Sequence, residues 1–81
     1  MKVWVVWVWM ADGMFDIDEI YATREKAVAA ALRFIASLGG IRVRHYGSEE
    51  LNRNDDIQCW TFDDTYGKDN RVFAEEKQVV D

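Results

Sequence analysis

Nucleophilic catalysis in this sequence would have to use Cys59 with His45, the one histidine, as its base. A thiolate attacks carbonyl carbon when a base removes its proton and backbone donors receive the oxyanion. Here no oxyanion-hole signature accompanies the pair. Cys59 also sits inside the apolar run Ile57-Gln58-Cys59-Trp60-Thr61-Phe62, where a cysteine acts as a small buried hydrophobe. Carboxylates are the other reactive class. Asp12, Asp16 and Asp18 offer oxygen to a hard cation, but their spacing departs from the calcium-loop pattern and strand alternation scatters them. Asp63-Asp64-Thr65-Tyr66-Gly67 departs from it as well. Zinc requires several Cys or His, and the chain has one of each. Gly39-Gly40 follows a helical stretch and reads as its cap, since phosphate loops precede helices. The residues therefore predict no catalysis, no metal and no cofactor.

Binding is the better expectation. One reading of the acidic groups Asp55-Asp56, Asp63-Asp64, Asp69 and Glu75-Glu76 is mimicry of a phosphate backbone, since a basic nucleic-acid groove attracts either polyanion. The alternative is solvated loop charge that keeps the protein soluble. Residues 24–44 carry Arg24, Lys26, Arg33, Arg42 and Arg44 against Glu25, whereas residues 45–81 carry ten acids against four basic residues. Aromatic side chains beside Arg42 and Arg44 are compatible with a nucleic-acid platform. The net charge of −5 disfavours that reading and non-specific contact with anionic membranes.

The elements that must position these groups follow from periodicity. Lys2-Val3-Trp4-Val5-Val6-Trp7-Val8-Trp9-Met10 is a strand with apolar residues on both faces. Asp12-Gly13 marks a turn. Met14 to Ala22 reads as a second antiparallel strand with a bulge near Asp18-Glu19, after which Ile20-Tyr21-Ala22 resumes with shifted parity. Thr23 is an N-cap. From Arg24 the period becomes helical, with Ala27, Val28, Ala31, Leu32, Ile35 and Leu38 as one stripe, and Gly39-Gly40 closes the helix. Residues 41–46 form an optional short strand, 47–56 a polar loop with a helical turn at 48–52, and 57–62 and 71–80 two further strands.

With 81 residues, 49% of them hydrophobic, the chain is expected to form one folded domain over 1–81. The predicted class is α+β: a two-layer fold with an antiparallel sheet of about four strands and one main helix on one face, in ββαββ order. One helix covers only one sheet face. The other requires a partner, a second copy or loops. Because the helix is rich in alanine, Trp7 and Trp9 are expected beneath it with Val3 and Val5. That places Trp4, Val6 and Val8 outside, beside Trp60 or Phe62. An exposed tryptophan-bearing patch of this kind marks an interface.

Lys2 to Val8, and Ile20-Tyr21-Ala22-Thr23-Arg24-Glu25-Lys26-Ala27, resemble small uncharacterised domains of phage and bacterial mobile elements. In these a first hairpin leads into a helix through a Tyr/Phe-x-Thr/Ser-x-Glu-Lys-Ala junction. The resemblance covers the first half of the chain and brings no catalytic residues with it. By size and acidity it implies an inhibitor of the anti-CRISPR or anti-restriction type. Such a protein would anchor through Trp4, Val6 and Val8 and turn Asp63, Asp64, Glu75 and Glu76 towards a basic nucleic-acid-binding complex. A homodimeric accessory domain and a small-ligand-binding domain are the alternatives. With a single cysteine there is no internal disulfide, which suits a reducing cytoplasm. The apolar first run is too short to span a bilayer and lacks a signal peptide's cleavage region.

Overall fold

The computed structural model describes residues 1–10 and 15–80, and for 15–18 the backbone alone. Its elements run β1 (Lys2–Trp9), β2 (Phe15–Tyr21), α1 (Arg24–Ser37), β3 (Ile41–Tyr46), β4 (Ile57–Asp63) and β5 (Asp69–Gln78). The five strands form one antiparallel sheet in the order β2-β1-β5-β4-β3, with α1 packed on one face. The class is α+β and two-layer as the periodicity predicts, but with five strands rather than four. Residues 41–46 supply the extra strand by pairing with β4 at the sheet edge. The Asp12-Gly13 turn lies outside the described residues.

Local chemistry accounts for the helix ends. Thr23 is extended, at φ −132° and ψ 155°, and its Oγ1 accepts from the Lys26 N–H at 3.3 Å. That satisfies one of the donors every helix start leaves without a partner. At the far end the Gly40 N–H donates to Ile35 O and the Gly39 N–H to Ala36 O, the paired bonds of a Schellman closure. Gly39 takes φ +65°, which a β-carbon resists. Gly40 has a different constraint: a Cβ there would lie 2.5 Å from Ile35 Cγ2 and 2.9 Å from Phe62 Cδ2.

The buried side of α1 comprises Ala27, Ala30, Ala31 and Ile35, with Val28, Phe34 and Leu38 partly covered. Leu32, expected in the stripe, is instead 47% exposed. Beneath the alanines lie Trp4, Val6 and Val8 of β1, Val72 and Ala74 of β5, and Trp60 and Phe62 of β4. The expected parity of β1 is therefore reversed. Trp4, Val6 and Val8 belong to the core, as do Trp60 and Phe62, and none of them forms an outer patch.

Strand pairing explains the reversal. β1 is apolar on both sides, so its own alternation carries no direction. Its partner β5 has a clearer alternation, with Val72 and Ala74 on one side and Arg71, Phe73, Glu75 and Lys77 on the other. The register sets Val8 opposite Val72 and Val6 opposite Ala74, so β5 chooses the face for both strands. Lys2 shares the parity of Trp4, Val6 and Val8 and stays on the helix side at the rim, where its Nζ lies 3.4 Å from Glu76.

Both edges are irregular. On β2 the register passes from Val6↔Glu19 to Trp7↔Ile17, leaving Asp18 unmatched, which is the bulge the sequence predicts. On β3 the ladder shifts between Ile41 and Arg44, and Arg42 takes φ 54°.

Candidate functional site

The face of the sheet turned away from α1 carries the candidate site. Alternation along β1 puts Val3, Val5, Trp7 and Trp9 on it. Cross-strand register adds Ile20 from β2, the odd-numbered residues of β5 and β4, and Arg44 and Tyr46 from β3.

Three zones follow one another across this face. The first is apolar and aromatic. Trp7 stacks on Phe73 with centroids 3.9 Å apart and planes 7° from parallel. Trp9 is 39% exposed, and the Arg71 guanidinium carbon lies 5.4 Å from its ring centroid, within cation–π range. Ile20, opposite Val5, is 63% exposed.

In the middle zone Glu75 is buried among donors. It accepts from Trp7 Nε1 at 3.3 Å and from Arg53 Nη2, and Lys77 Nζ lies 3.4 Å away. Arg53 also forks onto Asp55 at 3.0 and 2.9 Å. Bonding first to Glu75 and then to Asp55 pushes its guanidinium above its ordinary value. The segment that delivers Arg53 opens with the expected helical turn, closed by Leu51 N–H to Gly47 O at 3.1 Å. Ser48 fixes that segment to β4, its Oγ accepting from the Ile57 N–H at 2.9 Å and donating to Asp55 O at 2.9 Å. Loop cover thus reaches Ile57 and Cys59, both buried. Trp9 and Ile20 remain open.

The third zone is basic. Arg44, Thr61 and Arg71 are register partners on three adjacent strands, so their side chains leave the sheet in one row. They line a groove of about 300 Å³ together with Arg42, Asp63 and Asp69. Arg42 Nη1 bonds Asp63 at 3.0 Å. Next to it lies a hollow of about 290 Å³ lined by Tyr46, Leu51, Cys59 and Phe73.

The acidic residues singled out in the sequence do not form one surface. Asp63 is paired with Arg42. Asp64 closes the β4–β5 turn, accepting from the N–H groups of Tyr66 at 2.8 Å and Lys68 at 3.0 Å and from Asn70 Nδ2 at 3.1 Å. These donors, Asn70 foremost, hold its carboxyl below the usual carboxylate range. Glu75 and Glu76 are consecutive in β5 and face opposite ways, Glu76 towards Lys2 on the helix side.

Cys59 and His45 are likewise separated. Cys59 pairs with Tyr46 on the outer face, where burial pushes its thiol up to about 11. His45 pairs with Trp60 on the helix face and contacts Gln58. Among the described residues no three His, Cys, Asp or Glu side chains gather as metal ligands. Asp12 and the side chains of Asp16 and Asp18 lie outside that description. No helix among the described residues is long and apolar enough to cross a membrane.

Sequence reasoning missed Trp7, Trp9, Ile20 and Phe73 as surface residues and Arg71 as part of a basic row. The signal was present in 71–77, where Arg71, Phe73, Glu75 and Lys77 alternate with Val72 and Ala74. Compared with protein-family models, with curated proteins and with solved structures, the chain has no match.

Proposed function

We propose that this chain is a small non-catalytic protein-binding module, which occupies a partner's surface rather than transforming a substrate. One observation carries the reading: Trp9 and Ile20 stand open beside the Trp7–Phe73 stack, on a sheet face that α1 does not cover. Aromatic groups held rigidly at the centre of a flat surface are the usual anchors of protein interfaces.

The inhibitor role implied by resemblance fits this reading in one form only, docking of protein on protein. Acidic mimicry draws no support from the four carboxylates, because each is engaged within the fold. Pairing through a sheet edge is also disfavoured. Bulges interrupt both edge strands, and β3 carries Arg42 and Arg44, features that hinder edge-to-edge addition.

The test is capture from a nuclease-treated lysate of the cells that carry the protein. Wild type, Trp9→Ala and Ile20→Asp are compared, each shown to be folded by circular dichroism. The expected result is a stoichiometric protein that both variants lose. Equal recovery by all three would remove the face from consideration. Recovery of the chain alone, with a dimer's mass in solution, would replace this reading with self-association.

A further inference from the structure

We infer that the Arg44–Thr61–Arg71 row is the seat for a carboxylate on an acidic segment of the partner, with Tyr46 and Phe73 receiving an apolar side chain beside it. This deepens the protein-docking reading and rests on it.

Geometry supplies the first argument. Antiparallel neighbours lie about 4.8 Å apart, so the backbones of Arg44 and Arg71 are roughly 10 Å apart with Thr61 between them. Two long guanidinium arms at that separation reach one oxyanion above the hydroxyl, and arginine suits carboxylate through its forked donors. The approximately 300 Å³ groove gives the anion room.

Charge supplies the second. Arg42 is occupied by Asp63. Among the described residues Arg44 has no ion pair, and Arg71 has none either, meeting the Trp9 ring instead. Two cationic side chains therefore line one groove with no ion pair of their own among the described residues.

The surroundings choose between anions. Asp63 and Asp69 line the groove and Glu50 lines the adjoining hollow. A nucleic-acid strand carries a charge at every step and would bring its next phosphates against these acids, on a molecule of net charge −5. A single carboxylate flanked by apolar side chains meets the two arginines and then the Tyr46–Phe73 hollow.

The experiment titrates the isotope-labelled full chain with a capped peptide that carries one glutamate flanked by phenylalanines, read by NMR. Controls are the glutamine–phenylalanine peptide, an oligothymidylate and the Arg44→Gln/Arg71→Gln double variant. Both arginines are exposed, and preserved spectral dispersion confirms the variant's fold. The expected result is that the glutamate peptide shifts Arg44, Thr61 and Arg71. Its affinity should fall at least tenfold in the double variant and at least tenfold for the glutamine peptide. Three outcomes overturn the seat: equal binding of both peptides, no shift with the glutamate peptide, or tighter binding of the oligothymidylate at the same arginines. The docking reading is judged separately by Trp9→Ala and Ile20→Asp, so either idea can fall alone.

Discussion

Asp64 shows how much one carboxylate organises at the residue scale. Three donors, from Asn70, Lys68 and Tyr66, converge on it at the β4–β5 turn, and they favour its charged form. Its folded-state value is therefore depressed. The stabilisation it gives is complete above the unfolded-state value near 4 and is lost as pH falls through the lower folded value. Asp64→Ala should thus lower the thermal midpoint at pH 7, and the gap to wild type should close on acidification towards pH 3. A gap independent of pH would mean that the charge is irrelevant to the turn. Cys59 makes the opposite case, a group silenced by burial. With the thiol pushed up to about 11, its thiolate fraction at pH 8 is lower than a free cysteine's by on the order of a hundredfold. Iodoacetamide should label it slowly in the native protein and at the ordinary thiol rate in guanidinium. Rapid native labelling would contradict both its burial and its inertness.

Elements differ in how openly the sequence declares them. The helix's position and ends were legible, because Thr23, the change of period at Arg24 and Gly39-Gly40 are local signals, although Leu32 of its expected stripe is exposed. The bulge at Asp18 was legible too, since Ile20 and Tyr21 resume with shifted parity after Asp18-Glu19. What β1 buries was not, because a strand apolar on both faces takes its orientation from β5, which joins it from the far end of the chain. The outer site was lost with that parity, and with it the role of Arg71, whose alignment with Thr61 and Arg44 exists only once three strands pair. The same close packing makes the helix ends sensitive. Gly40→Ala pushes a methyl group into Ile35 and Phe62 and should cost about 1–3 kcal/mol. Thr23→Ala, which removes only the cap, should cost about 1 kcal/mol. At about 4–8 °C per kcal/mol for a domain of this size, calorimetry separates the two variants from wild type. A neutral Gly40→Ala would show that the helix does not sit as close to β4 as described.

For the whole molecule, the decisive fact is that β1 lies between β2 and β5, so residues 2–9 pair with 71–78. The Val79 N–H even returns to Met1 O at 2.8 Å. Contacts of such sequence separation are slow to form, and refolding should take milliseconds to seconds. The chain has no proline. Double-jump stopped flow should therefore give the same single phase after brief or long unfolding. A delay-dependent slow phase would point to a trap elsewhere in the sheet. The interior position of β1, between β2 and β5, also has a consequence for synthesis on the ribosome. β1 is translated early and β5 late, and at about 5–20 residues per second several seconds separate them. During that interval a strand with tryptophan and valine on both faces has left the exit tunnel while the strand that orients it has not yet been made. Val3 to Trp9, the segment that later lies between β2 and β5, is then a natural client for a nascent-chain chaperone.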